Sequence, residues 1–317
     1  VKIPPVVLAP LAGGPSTPEL AAAVANAGGL GFVAAGYLPP DELEARLRRA
    51  RELTDGLLGV NLFVLEEQPV DGRALAAYVD ELAREGVELG EPRFDDDWLA
   101  EKIEIALASD IAVISTTFGR PPAALADTDK EVWATVASVA DADGLDVDAL
   151  VVQGSEAGGH RGAFDDADTS DLSLLDLLRE LRAVTDVPLI AAGGIGDRAA
   201  ADAARAAGAA AVQAGTAFLL CPEAGTNDVH RGALTHGGTT AITRAFTGRR
   251  ARGIDNGFMR AHPNAPSAYP QIHHLTAPMR AAARAAGDAD RVNLWAGTSF
   301  AQARAVPAAE VVAELGP

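Results

Sequence analysis

Residues 151–162 read VVQGSEAGGHRG: an apolar run, then Gly154, Gly158, Gly159 and Gly162 framing Glu156 and His160. Imidazole is the side chain whose ordinary pKa lies near neutrality, so a histidine in a segment free of bulk is a candidate proton carrier. Glycines let a backbone lie flat beside a large planar ligand. Gln153 closes the apolar run. Its amide either hydrogen-bonds a flat heteroaromatic ring or is a satisfied polar group at a strand end. Two more glycine clusters end apolar runs, AAGGIGD (191–197) and QAGTAF (213–218). Glycine N–H groups can approach an anion closely, and a helix N-terminus adds a favourable dipole. Gly193, Gly194, Gly215 and Thr216 are therefore expected to cradle a phosphate; the plainer alternative is that they only make tight turns.

Other titratable groups offer less. His273 and His274 are adjacent, so they diverge on a helix or strand, and no carboxylate stands at a metal-ligand spacing. No metal site is expected. His230, His236 and His262 lie outside any motif. The run TRAFTGRRARG (243–253) is basic within an acidic chain. Most of Arg244, Arg249, Arg250 and Arg252 are expected to pair with surplus Asp and Glu, with room for one to face the site.

These groups need a scaffold. Eight short apolar runs recur: 6–10, 30–36, 57–64, 111–117, 131–136, 148–154, 187–194 and 210–219. Nearly continuous apolar runs suit strands buried on both faces. Alternating with helical patterns, they predict an α/β fold, a (β/α)8 TIM barrel whose working face is the C-terminal ends of the strands. Thr17-Pro18 and Asp197 read as helix starts, Gly28 and Gly208 as stops, and 173–184 as an amphipathic helix. About 46 residues separate the third and fourth strands, more than one crossover helix needs. FGRPPAALADTDK (118–130) predicts a truncated helix before the fifth. From about 221 to 290 the repeat stops, and the segment reads as an inserted, mostly helical cap. Residues 1–220 and about 291–317 form the barrel, with RVNLWAGTSFAQAR returning to its mouth.

Composition bounds the partners. The formal net charge of −18 argues against nucleic acid and anionic membranes, which need a basic face. The longest apolar stretch, 199–220, is interrupted by Asp202, Arg205 and Gln213, so it is no membrane span. Cys221 is the one cysteine, so no internal disulfide forms, and no secretory leader is legible. A cytoplasmic protein is expected, with a homo-oligomer left open.

Together, QGSEAGGHRG, AAGGIGD, VQAGTAFL and TRAFTGRRARG resemble the nitronate monooxygenases, formerly called 2-nitropropane dioxygenases. APLAGG, GGLGFVAAGY and GVNLF are similar to the family's N-terminal half; YPQIHHLTAPMR and NLWAG are similar to its C-terminal end. The signature around His160 marks the superfamily and not one activity within it. The resemblance implies a barrel that holds FMN non-covalently, with a helical substrate domain. It implies oxidation of alkyl nitronates by O2 to a carbonyl compound and nitrite, without a nicotinamide reductant. By the same resemblance, His160 is the base near flavin N5, needed for neutral nitroalkanes and dispensable for the anion. Gln153 and Asn61 contact the isoalloxazine, with Pro10 and Leu11 near it. Gly158, Gly193, Gly194, Gly215 and Thr216 hold the ribityl phosphate region. Thr298 and Ser299, where many relatives carry Gln and a small residue, bear on substrate choice. Two rivals are a flavin-dependent enoyl-acyl-carrier-protein reductase using NAD(P)H and a flavin-binding protein without turnover. Gln153, where the reductases tend to carry Glu, favours the monooxygenase.

Overall fold

Eight strands close into a barrel. The structure, a computed structural model, describes residues 2–169 and 171–317. The strands are β1 (Val6–Leu8), β2 (Gly31–Ala34), β3 (Leu58–Phe63), β4 (Val113–Thr117), β5 (Glu131–Val136) and β6 (Ala149–Gln153). After the two-residue β7 (Gly159–His160), which leaves the barrel, come β8 (Leu189–Ala192) and β9 (Ala211–Ala214). Every barrel pairing is parallel, in the order β1-β9-β8-β6-β5-β4-β3-β2. The ring closes where Leu8 N donates to Leu30 O (2.9 Å) and Leu30 N to Val6 O (3.0 Å). All eight expected runs are strands.

Strand side chains alternate with period two, and that alternation builds the site's floor. Val7, Phe32, Val113, Trp133, Val151 and Ile190 fill the barrel interior, while Val6, Leu8, Val33, Val60 and Val152 face the helices. Further along the inward rows of β3 to β6 and of β9 the residues are polar: Asn61, Ser115, Thr117, Thr135, Gln153 and Gln213. These sit at the C-terminal ends of their strands.

The helices follow in chain order: α1 (Pro18–Asn26), α2 (Pro40–Leu53), α3 (Gly72–Arg84), α4 (Leu99–Ala108), α5 (Val139–Ala142), α6 (Leu174–Arg182) and α7 (Arg198–Ala206). Thr17 caps α1 by accepting from Leu20 N (3.0 Å), and Asp197 caps α7 by accepting from Ala200 N (2.8 Å). The long link between β3 and β4 holds two helices. Of these, α4 covers the barrel, but α3 leaves it. Tyr78 and Leu82 of α3 bury against Phe246, Phe258, Met259, Ile272 and Leu275. Between β4 and β5 only a short 3-10 turn (Ala123–Leu125) remains.

Past residue 220 lie α8 (Asp228–His236), β10 (Thr240–Thr243), β11 (Ala251–Ile254), α9 (Gly257–Ala261), α10 (Gln271–Ala286) and α11 (Ala308–Leu315). The 221–290 segment was expected to be mostly helical, yet it contains an antiparallel hairpin, β10–β11. This hairpin takes β7 as its third strand, pairing Ala251 with His160 and Arg252 with Gly159. Strands of two to four residues are too short to leave a periodic signature. Among the described residues, no helix is long and apolar enough to cross a membrane.

Candidate active site

A cavity of about 390 Å³ opens at the C-terminal ends of the barrel strands. Asn61 lies in its floor. Its Nδ2 donates to Ser115 Oγ (2.8 Å), Thr117 Oγ1 (3.0 Å) and Ser115 O (3.3 Å). A carbonyl can only accept, so the amide nitrogen must face Ser115, and Oδ1 is the atom left for the cavity.

The glycine clusters meet along one side. Gly193 and Gly194 have φ of +120° and +69°, a region that side chains rarely adopt. A Cβ on Gly158 would fall 2.5 Å from Gly297 N, so the chain passes there only as glycine. The N–H groups of Gly194 and Gly215 take no part in the loop hydrogen bonds of the described residues. Thr216 Oγ1 accepts from Gly297 N (3.0 Å), which leaves its own hydrogen to donate. Unpaired N–H groups, a hydroxyl and close backbone approach make a cradle for an anion.

His160 stands over the floor, its backbone held by β11. Its Nε2 lies 2.9 Å from Thr247 Oγ1, and that hydroxyl lies 3.3 Å from Arg249 O. The carbonyl can only accept, so Thr247 gives it a hydrogen and receives one from His160 Nε2. The lone pair is then on Nδ1, which has no hydrogen-bond partner among the described residues. Tyr269, Trp295 and Phe118 surround the ring at centroid distances of 5.4, 5.5 and 5.9 Å. Burial, reinforced by the Arg249 and Arg280 charges against Asp166, pushes the His160 pKa down to about 3. The imidazole is therefore neutral at physiological pH.

Gln153 holds the loop that carries His160. Its Nε2 donates to His160 O (3.0 Å), and its Oε1 accepts from Gly162 N (2.8 Å) and Arg161 Nη1 (3.2 Å). A glutamate at this position could not donate to the carbonyl. Glu156 fastens the same loop: its carboxylate accepts from Leu174 N at the start of α6 (3.0 Å), and its carbonyl accepts from Thr298 N (3.0 Å).

The facing wall comes from α10 and the β2 end. Tyr37 stacks on His273 at 4.1 Å and 3°, and its hydroxyl lies 3.0 Å from that of Tyr269. Tyr37 has a φ of 67° and Phe118 one of 80°. Such backbone is stable only where neighbours over-determine it. For Tyr37 the neighbour is Asp97, which accepts from Tyr37 N (2.9 Å) and pairs with buried Lys102 (2.7 Å). The basic run is mostly structural. Arg244 pairs with Asp166 (2.9 Å), Arg250 with Asp171, and Arg252 donates to Ser155 O (2.9 Å). They stitch the hairpin to Ser155, Asp166 and Asp171. Arg249 is held by the carbonyls of Arg161 (3.2 Å) and Ala163, its guanidinium 4.2 Å from the Phe118 ring centroid, and it does not line the cavity.

The sequence model of the nitronate monooxygenase family matches residues 1–317. The chain belongs to that family. A nitronate monooxygenase of Pseudomonas aeruginosa is 38% identical over 335 residues, covering 98% of this chain and 95% of the relative. The solved structure of a nitroalkane oxidase from Streptomyces ansochromogenes is 42% identical with a TM-score of 0.93, covering 98% of this chain and 94% of the other. FabK from Thermotoga maritima, at 24% identity and a TM-score of 0.76 over 99% of this chain and 92% of its own, shares the fold. As a nitronate monooxygenase family member the protein is an oxidoreductase.

In this family member Pro10, Leu11, Asn61, Gln153, Gly158, His160, Gly193, Gly194, Gly215, Thr216 and Ser299 line one cavity. Thr298 does not: it is exposed, with its Oγ1 beside Gly194. Ser299 packs beside Gly196. The pair expected near substrate therefore sits at the cradle, because Thr298 N is tied to Glu156 O. Gln153 was expected to contact a ring, but most of its amide is spent on the loop. His273 and His274 do diverge, the first toward the cavity and the second to Asp95 (2.6 Å), and no metal cluster occurs among the described residues. Sequence reasoning missed Tyr37, Phe118, Thr247, Tyr269, Arg280 and Trp295. One signal for Arg280 was present: His273, Ala277, Arg280 and Arg284 recur at helical spacing, one cavity-facing stripe of α10.

Proposed function

We propose that this enzyme oxidises alkyl nitronates with O2 to a carbonyl compound and nitrite, and accepts neutral nitroalkanes by deprotonating them first. The observation that carries the reading is His160: a neutral imidazole with an open Nδ1, in a cavity shared with an anion cradle. The cavity residues fit FMN. Gly194, Gly215 and Thr216 offer N–H and O–H donors to a phosphate, Pro10 and Leu11 an apolar wall, and Asn61 Oδ1 an acceptor in the floor. A flavin supplies electron-transfer chemistry that side chains lack. The protein's own part is to place the carbon acid at Nδ1, to exclude water with Phe118, Tyr269 and Trp295, and to receive the proton. In this reading the 221–290 segment, with α3 packed on it, covers the substrate.

The purified protein is expected to be yellow and to release nitrite from a short panel of nitronates under air. Anaerobic NADPH should leave its visible spectrum unchanged. Fast bleaching by NADPH, or no nitrite from any nitronate, would sink the reading; the former result would favour an enoyl reductase.

Thr247 gives a finer test. Thr247→Val removes the acceptor that fixes Nε2–H and frees the ring to take the other tautomer. Turnover of a neutral nitroalkane should fall on the order of tenfold, the loss of one orienting hydrogen bond, while nitronate turnover holds. Thr247→Ser should restore the rate. Equal losses on both substrates would mean that the hydroxyl does not orient the base.

A further inference from the structure

Arg280 is a buried cation without a buried anion. It is 6% exposed and lines the cavity. Its hydrogen bonds go only to neutral groups: Nε to Thr276 Oγ1 (3.1 Å), Nη2 to His273 O (2.8 Å) and His273 Nδ1 (3.3 Å), and Nη1 to Asn293 Oδ1 at a long 3.5 Å. Among the described residues no carboxylate pairs with it; the groups that weigh on its charge are Tyr37, Arg284 and Tyr269. Burial lowers its pKa to about 10, so the charge persists at neutral pH.

Acid groups are not scarce here. The chain has 44 Asp and Glu against 26 Lys and Arg. It neutralises several other buried cations directly, Lys102 with Asp97 and both Arg161 and Arg250 with Asp171, whereas Arg249 is held by the carbonyls of Arg161 and Ala163. A buried charge left unpaired is costly, and such groups persist where a ligand completes them. Arg280 also shares the cavity with the base. Its Nη2 contact His273 stacks on Tyr37, whose hydroxyl meets that of Tyr269, and the Tyr269 ring lies 5.4 Å from His160.

We infer that Arg280 is the anchor of an anion subsite, one that takes a planar, singly charged oxyanion against a guanidinium left short of partners. Nη1, whose one contact is the long one to Asn293 Oδ1, is the corner of the guanidinium left to meet an oxyanion oxygen. That the natural occupant is the NO2 end of a nitronate rests on the function proposed above; the anion site itself does not. Arg284, one turn further along α10, lines the same cavity but is only half-buried, so solvent screens it.

Nitrate, a planar oxyanion that is not turned over, is the probe. Isothermal titration of nitrate into the purified enzyme with its flavin should show one site in the cavity. Arg280→Gln should weaken nitrate by about tenfold or more, since a charge-assisted pair is lost. Arg280→Lys should stay within about threefold because the charge remains. The KM for nitronate should rise in R280Q by the same factor as the nitrate constant, with kcat moving less. Arg280→Met, which keeps the volume of the buried stem, replaces R280Q if the latter unfolds. Unchanged nitrate affinity in a folded, yellow R280Q or R280M protein would overturn the inference. Nitrate binding that depends on Arg280 in a protein that oxidises no nitronate would uphold the anion site and remove the nitronate activity instead.

Discussion

Replacing His160 with asparagine should lower kcat/KM for a neutral nitroalkane by roughly 10²–10⁴-fold, the usual range for a lost general base. Turnover of the preformed nitronate should stay within about threefold, because the anion has no proton to give up. The asymmetry is what the geometry demands. Nδ1 is the open nitrogen, and the substitution removes it as a base. The aromatic ring around His160 excludes water in both proteins. The pH profile sharpens the test. An ordinary histidine base becomes active as pH rises past about 6.5. With its pKa pushed to about 3 by burial, His160 is already unprotonated at pH 5, so nitroalkane turnover should show no rise near 6.5. Such a base is weak at rest. Proton transfer succeeds because its products are an imidazolium beside a nitronate, each offsetting the other's desolvation. Nitroalkane turnover that survives in H160N, measured as nitrite release across pH 5–8, would remove His160 from the chemistry.

The same burial sets a stability trend. His160 and His230 are both held neutral by burial, with pKa values near 3 and 4, whereas unfolded histidine titrates near 6.5. Between those values the unfolded chain binds more protons than the folded one. Stability contributed by these two groups therefore falls as pH drops below about 6.5.

Asp97→Ala should destabilise the fold by about 3–5 kcal/mol, because it strands a buried ammonium. Lys102 and Asp97 are 1% and 5% exposed and 2.7 Å apart. Lys102 Nζ keeps only Ala35 O (2.9 Å) when the carboxylate is gone. Lys102→Met should cost less. Burial already holds the Asp97 carboxyl above the usual range despite Lys102, and without the lysine it rises further and takes a proton. The two variants should therefore show opposite pH slopes. In K102M the folded state holds a proton that the unfolded carboxylate has lost, so stability falls as pH rises above about 4. In D97A the folded lysine is the weaker proton binder, since burial lowers its pKa, so stability rises with pH toward the unfolded lysine value. Denaturant melts of both variants between pH 5 and 9 would decide it; parallel slopes would contradict the assignment of charges. D97A should also loosen Tyr37, whose N–H loses its acceptor.

The barrel was legible because buried parallel strands are written as unbroken apolar runs, and 6–10 or 131–136 need no partner to be recognised. That the glycine loops and His160 meet at one cavity was legible for a related reason: the glycines announce themselves locally, and strand ends fix where they go. The opposite wall was not. Tyr37, Thr247, Tyr269, Arg280 and Trp295 all lie in stretches that resemble the family, but their convergence on one cavity comes through tertiary packing, which those stretches do not display. Gln153 illustrates the limit most clearly. Its position was evident, but whether its amide faces a ligand or its own loop depends on the seven-residue return to His160 O. The β10–β11 hairpin failed for want of length. That Ser299 lines the cavity while Thr298 is exposed follows from the backbone tie of Thr298 N to Glu156 O, which sequence does not display.

The shortest element, β7, adds a backbone pairing to the arginine ties that already join its loop to the hairpin. Its backbone belongs to the barrel loop, yet its partners Ala251 and Thr247 belong to the hairpin and the turn before it. Backbone register and ring orientation of His160 are thus both set from across the cleft. These contacts make the loop and hairpin one cooperative unit for local unfolding, so amide protons on β7 and β11 should exchange together. Any excursion that peels the hairpin away leaves the imidazole free to swivel, and the proposed reaction is without its base while it is open. Ligand traffic must then pass through an opening that leaves β7 and β11 paired, or each open state is also a silent one.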